Sequence, residues 1–516
     1  MSQRFARSIL LLLLAAWIAL FGLSPETRRY AIQSFSCGDS AFSFYDDFPS
    51  SANKSLFPFK VLSVFALWLI YKVGQEPANS APASRKRLLL LLFIGGALIF
   101  LWWSSALVVL SSLLLLCYPW KNSETAGKNT RWVLAALIVI ALTLRLEKIP
   151  NVASSPLQPD ASQYVQLSQT MTWFYDTQHR EPLLAGIDRI LTLFFPVPED
   201  LTTSGYLPVR LLTVVLSCGV VAAIFMIGRA LFSHRTAFLA ALLFAVNKAF
   251  VYRSLQGLRV ELLILGILGV VALASRSPCG ASKNLCRGVL LGVVGGLLLL
   301  VRTACLPFVV FVYCLAWWKG TYTARACAIA AIICAVLVIP YHIYCWNEYG
   351  DPMYSGNYHV NKFYYMTVFE TGAPDTSHEP FVKPFELMFS IFPRYKTALL
   401  TLEGVLDTLF GRYALRLFYL PFSPLLIGCS ALAYIRWIQD KRCWPLGPML
   451  LLLLGPMAFI LAMLNHSPVV FDWRTVAHLF PFMALAAVDG LFYLLDRAGA
   501  ASPAPTPGEV SPGSSL

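Results

Sequence analysis

The stretch RGVLLGVVGGLLLLVRTACLPFVVFVYCLAWW, residues 287–318, is apolar almost throughout and holds a single internal charge, Arg302. A bilayer-crossing helix needs about 20 apolar residues, so this run is too long for one comfortable crossing. It reads as a tight hairpin of two short helices with Arg302 near the turn. Apolar runs recur outward from it, at 9–23, 57–73, 88–118, 131–147, 207–231, 236–251, 259–274, 325–345, 413–437, 445–464 and 473–494. With 88–118 taken as a second hairpin, the expected count is about 12 to 14 spans. Of the 516 residues, 57% are hydrophobic and 13% charged, a balance that excludes a soluble globular protein and predicts an all-α polytopic membrane protein.

The formal charge of +13 does not point to nucleic acid, because Lys and Arg lie in short clusters between apolar runs rather than along one face. RFAR, SRKR, KNSETAGKNTR, GRALFSHR, SRSPCGASKNLCR, WWKGTYTAR and RWIQDKRCW all fall on one side if both long runs are hairpins, and basic loops stay cytoplasmic. The opposite, outer face then receives 148–206, 247–261, 346–412 and 465–475, which carry most of the distinctive polar residues. The expected setting is an integral protein of a bacterial inner membrane with its site facing the periplasm. The 12 Cys are mostly scattered in apolar segments, where Cys acts as a small hydrophobe, and Cys279 and Cys286 read as a reduced cytoplasmic pair. Residues 1–130 add N-terminal spans, 131–495 form the main module, and 496–516, rich in Pro, Ser, Gly and Ala, read as a disordered cytoplasmic tail.

The first outer loop contains LQPDASQYVQLS, residues 157–168. Asp160 after Pro159 suits a helix N-cap, and equally an acid held at the water–lipid boundary as a general base. Tyr164, Leu167 and Met171 fall at helical spacing, which lays that helix on the membrane with its apolar side down. His179, Arg180 and Glu181 precede Pro182 and a new helix, as substrate contacts or as a solvated turn. Glu261, two residues after Arg259, enters an apolar segment; a carboxylate there is a functional candidate by default, with an Arg ion pair as the structural alternative. Arg302 either snorkels or binds a ligand. Arg474 begins the last span beside Asp472, with His478 following. Arginine suits phosphate because its planar fork donates paired hydrogen bonds and keeps its charge. In WNEYGDPMYSGNYHVNKFYYMTVFE (346–370), aromatic faces with Asn357 and Asn361 make either a sugar platform or an interface belt.

The order of PDASQYVQLSQTM (159–171), REPLLAGIDRILTLFF (180–195), the apolar 209–276, RGVLLGVVGGLLLLVRTACLPFV (287–309) and FDWRTVAHLFPFMALAAVDGL (471–491) resembles the GT-C glycosyltransferases. It is most similar to the branch of protein O-mannosyltransferases and lipid A aminoarabinose transferases. The resemblance implies inverting sugar transfer from a polyprenyl-phosphate donor to an acceptor glycan, lipid or protein at the outer face. It implies Asp160 as base, Glu261 as the second acid, and Arg474, Arg302 and Arg259 as donor-phosphate ligands. Ala161 stands where the family carries a second adjacent acid, so no metal site is assigned and a divalent ion is left open. Two other classes fit a basic polytopic chain: a transporter or flippase of lipid-linked sugars, which places ionisable residues mid-bilayer in broken helices, and an O-antigen polymerase or ligase.

Overall fold

The structure is a computed structural model and describes residues 126–153, 155–178, 180–199, 201, 205–276, 281–352, 354–355, 423–449 and 477–499. The proposed spans before residue 126, the tail after 499, and Arg474, His179, Asn357 and Asn361 lie outside those residues. Among the described residues the fold is all-α. In chain order the helices are α1 Ala126–Leu146, α2 Ile149–Val152, α3 Pro159–Thr170, α4 Pro182–Phe194, α5 Leu207–Leu231, α6 His234–Val246, α7 Lys248–Arg253, α8 Val260–Ala274, α9 Ala281–Val301, α10 Leu306–Trp318, α11 Ala324–Tyr349, α12 Ser423–Gln439 and α13 Phe480–Gly499.

Local chemistry sets many of the boundaries. Pro occupies the first turns of α3, α4, α5 and α10, where its missing N–H leaves no helical bond unmade. Ser233 and Thr323 cap α6 and α11 by accepting the N–H groups of Thr236 (3.1 Å) and Ala326 (3.2 Å). Gly350, at φ +67°, closes α11 in the left-handed conformation.

The long run 287–318 is two helices, as its length predicts: α9 ends at Val301 and α10 begins at Leu306, with Arg302 and a short 3₁₀ turn, Thr303–Cys305, between them. Among the described residues four helices are long and apolar enough to cross a membrane: Leu207–Leu231, Asn284–Val301, Ala324–Tyr349 and Ala477–Leu494. The chain is an integral membrane protein. The expected span 236–251 breaks differently: α6 has only 13 residues, and every one from Thr236 to Val246 is buried. It packs against α1, α5 and α13 as a core helix too short for a straight crossing.

A stripe of glycines on α9 faces α11. A side chain at Gly288 would bring a Cβ within 2.6 Å of the Ala326 carbonyl oxygen, and at Gly292 within 2.5 Å of that of Ala330. In lipid, where apolar side chains gain little by leaving one apolar solvent for another, such close backbone approach is a main source of helix association. α5 lies against α1, α6 and α8, and α12 pairs with α13.

Between α2 and α5 the chain carries two short helices, α3 and α4, packed on each other. The apolar side of α3 does not face lipid: Tyr164, Leu167 and Met171 are buried against Leu184 and Ala185 of α4, with Leu212 beside them. Protein rather than bilayer covers that face. The following helix is the one with an open apolar side, since Ile190, Leu193 and Phe194 of α4 and the adjoining Phe195 are exposed.

Candidate functional site

The site forms where α3, the start of α4, the start of α8 and the α9–α10 break meet. Asp160 is not the N-cap of α3; Gln158 holds that position and Asp160 lies in the first turn. Its carboxylate instead accepts from Arg180 Nη2 at 2.8 Å, and its side chain stays 42% exposed while that of Arg180 is 6% exposed. The acid is therefore held by Arg180 and remains partly exposed to solvent. Arg180 also donates to Gln163 and lies over the Tyr164 ring, 5.4 Å from its centre.

Tyr164 joins this pair to a second one. Its hydroxyl accepts from Arg259 Nη1 at 2.9 Å, and the same nitrogen donates to Glu181 and to the Val301 carbonyl (3.2 Å). Burial holds the Tyr164 phenol above its ordinary range, so it keeps its proton. Arg180 and Glu181, 5% and 4% exposed, are core members of this network rather than a solvated turn. Arg259 pairs with Glu181, not with Glu261: it is the N-cap of α8 and Glu261 stands two positions on, in the first turn, where i and i+2 side chains do not share a face.

Arg302, next to Val301 at the helix break, completes the arrangement. Its half-buried guanidinium has no hydrogen bond or ion pair among the described residues, so it neither snorkels away nor finds an internal partner. Burial, and then the like charge of Arg259, pull its pKa down. The cluster thus sets three guanidiniums, Arg180, Arg259 and Arg302, against two carboxylates, Asp160 and Glu181. Among the described residues this count leaves one positive charge in excess in a partly desolvated place.

Glu261 lies elsewhere. It is 1% exposed, its two oxygens have no hydrogen-bond partner, and the charges acting on it are those of Arg145 and Arg253 inside the bundle. Arg145, wholly buried, donates Nε to Ser217 Oγ (2.9 Å) and Nη1 to the carbonyls of Ala141 (3.0 Å) and Ala245 (3.1 Å). His478, 3% exposed, sits in the 3₁₀ turn before α13 and packs toward α8, so it belongs to this interior region and not to the Asp160 cluster. No group of three or more His, Cys, Asp or Glu among the described residues is arranged to hold a metal ion.

Several contributors escaped the sequence reading. Arg210 anchors the loop to α5 through the carbonyls of Leu255 (2.5 Å) and Ser155 (2.6 Å). Arg189 of α4 satisfies the end of α3 at the Ser168 carbonyl (3.0 Å). Asp188 is fully buried with neither oxygen bonded, and burial pushes its carboxyl well above the ordinary range. Arginines inside apolar runs were the available signal for Arg145 and Arg210; nothing local marks Asp188.

No family model and no curated protein matches the chain. Similar solved structures include the archaeal oligosaccharyltransferase AglB from Archaeoglobus fulgidus in complex with an inhibitory peptide and a dolichol-phosphate. It is 16% identical with a TM-score of 0.40, over 71% of this chain and 50% of that one. The apo form of the A. fulgidus enzyme is 15% identical, with a TM-score of 0.40 over 71% and 50%. The form tethered to an acceptor peptide containing the NVT sequon is 17% identical, with a TM-score of 0.39 over 71% and 49%. The chain spans about half the length of the solved structures it matches.

Proposed function

We propose that this protein is a membrane glycosyltransferase that moves a sugar from a polyprenyl-phosphate donor to an acceptor hydroxyl or amine at the outer face, with inversion. The observation that carries this reading is Arg302, which has no hydrogen bond or ion pair among the described residues, beside the Arg259–Glu181 and Arg180–Asp160 pairs, where an anion is favoured and a half-exposed carboxylate stands close by. Arg302 binds the donor phosphate, Arg259 adds its charge, and Arg474 is a further candidate ligand. Asp160, oriented by Arg180, takes the proton of the acceptor. The acceptor oxygen or nitrogen attacks the anomeric carbon from the side opposite the phosphate. The C–O bond to the lipid phosphate breaks, and the phosphate leaves as a dianion that arginine neutralises.

Glu261 is assigned here to the bundle interior, as counter-charge to Arg145, and not to the chemistry. Module boundaries at 131 and 495, and a site on the periplasmic side of an inner membrane, belong to the same reading. The test is binding of undecaprenyl phosphate to the purified full chain. Arg302→Ala should weaken it about 10- to 100-fold, the worth of one charged hydrogen-bonded contact. Equal binding by the two proteins overturns the assignment.

A further inference from the structure

A pocket of about 320 Å³ lies beside this site, lined by Trp173, Pro340, Ile343, Tyr344, Asn347 and Glu348. It forms between the turn after α3 and the last two turns of α11. The turn is pinned by Asp176, whose Oδ2 accepts the Thr172 N–H (3.1 Å) and hydroxyl (3.0 Å) and whose Oδ1 accepts the Tyr344 hydroxyl (2.9 Å). Trp173 is 48% exposed, yet its ring is fixed by edge contacts with Tyr175 (5.3 Å between centres) and Tyr344 (5.8 Å). Tyr175 in turn donates to the Leu337 carbonyl at 2.9 Å.

The pocket is tied to the proposed active site through α11. One turn from Tyr344 on α11, the Tyr341 hydroxyl donates to the Arg180 carbonyl at 3.1 Å, and Arg180 holds Asp160. Among the described residues the two neighbouring sites differ in charge: guanidinium is in excess around Arg302, whereas the pocket lining has a carboxylate, Glu348, an amide, Asn347, and no Lys or Arg. A phosphate is disfavoured beside Glu348. An acyl chain would leave the exposed Asn347 and Glu348 without use. A sugar ring matches all of it, with its C–H face on the indole and its hydroxyls bonded by amide and carboxylate. Trp346 is exposed on α11 beside Ile339, as a Trp of an interface belt is; Trp173 comes from another segment and is held against two tyrosines.

We infer that this pocket binds the acceptor and that the acceptor is an uncharged carbohydrate. The inference rests on the transferase reading for the word acceptor, and on the pocket alone for the word carbohydrate.

Saturation-transfer NMR on the purified full chain tests it, with the methyl glycosides of glucose, galactose, mannose and N-acetylglucosamine as probes. At least one glycoside should receive saturation on its ring C–H protons, retained in Trp173→Phe and in the distant Trp318→Ala. The signal should fall about tenfold in Trp173→Ala. No signal with any glycoside, or equal signals in wild type and Trp173→Ala, overturns the carbohydrate site. Quenching of Trp173 by a chain-brominated phospholipid that glycosides do not relieve, read as the difference from Trp173→Phe, overturns it in favour of a lipid groove. Undecaprenyl phosphate binding, measured in parallel, separates the two proposals: glycoside binding without it overturns the transferase reading and leaves the pocket standing.

Discussion

Two arginine–carboxylate constellations lie a short distance apart along the chain, and they are built on opposite plans. Around Asp160, both carboxylates touch a guanidinium directly, and the third guanidinium, Arg302, is left over at a half-buried break between helices. Around Arg145, the guanidinium bonds backbone carbonyls and Ser217, while Glu261 stays sealed from solvent with no direct hydrogen bond. Charge that is paired but incomplete and open invites a ligand. Charge sealed inside the bundle, where Arg145 and Arg253 act on Glu261 and Arg145 is bonded to backbone carbonyls and Ser217, has no solvent-open face to receive a ligand. The two residues of α8's entry, Arg259 and Glu261, divide between these plans although one position separates them.

Substitutions that strike one constellation and spare the other test that division. The largest effect belongs to Asp160→Asn, which keeps shape and the Arg180 contact but cannot accept a proton. Transfer from a polyprenyl-phosphate sugar should fall at least about 100-fold with thermal stability in detergent unchanged. Wild-type turnover by that variant removes the base. Next comes Arg145→Met, which removes the larger of the two positive charges acting on buried Glu261, leaving only Arg253, and should cost about 3 kcal/mol of stability. Adding Glu261→Leu should recover most of that loss, whereas two independent losses would show that the charges do not act as a pair. Glu261→Gln alone should retain transfer; its inactivation would return Glu261 to the chemistry.

How much of this was written in the sequence follows the distance between partners. The break at Arg302 was legible because 32 consecutive residues overrun one crossing and the only internal charge marks where the chain must turn. The acids and arginines of the site were legible as candidates because each stands out of an apolar background. Their pairing was not, since Asp160 meets Arg180 across 20 residues and Glu181 meets Arg259 across 78. Periodicity showed that α3 has an apolar face but not what covers it; a neighbouring helix does, and lipid exposure passes to α4. The glycines at 288, 292 and 296 were present as a helix-packing stripe and were not read as one.

The comparison sharpens at Arg302 when binding and stability are read together. Arg302→Met removes a cation that Arg259 repels and that no group among the described residues bonds, so it should leave the melting temperature level or raise it while donor binding falls. A buried structural arginine such as Arg145 does the reverse. A variant at 302 that lost stability and kept donor affinity would move Arg302 from the first plan to the second.

The smallest effect tests whether Asp160 is aimed or merely present. Gln163, one turn along α3, accepts from the same Arg180 nitrogen that reaches Asp160, and so helps set the direction of the guanidinium. Gln163→Ala leaves the carboxylate, the arginine and the Tyr164 contact in place and removes only that second tether. A neutral-acceptor hydrogen bond to a charged group is worth about 1.5 kcal/mol, so misdirection should lower kcat roughly tenfold at most, with undecaprenyl phosphate binding unchanged because Arg302 is untouched. Gln163→Glu should restore the tether and recover the rate. A Gln163→Ala variant that lost donor affinity instead would mean that Arg180 belongs with the phosphate ligands, and that the division between an aiming arginine and a binding arginine is drawn in the wrong place.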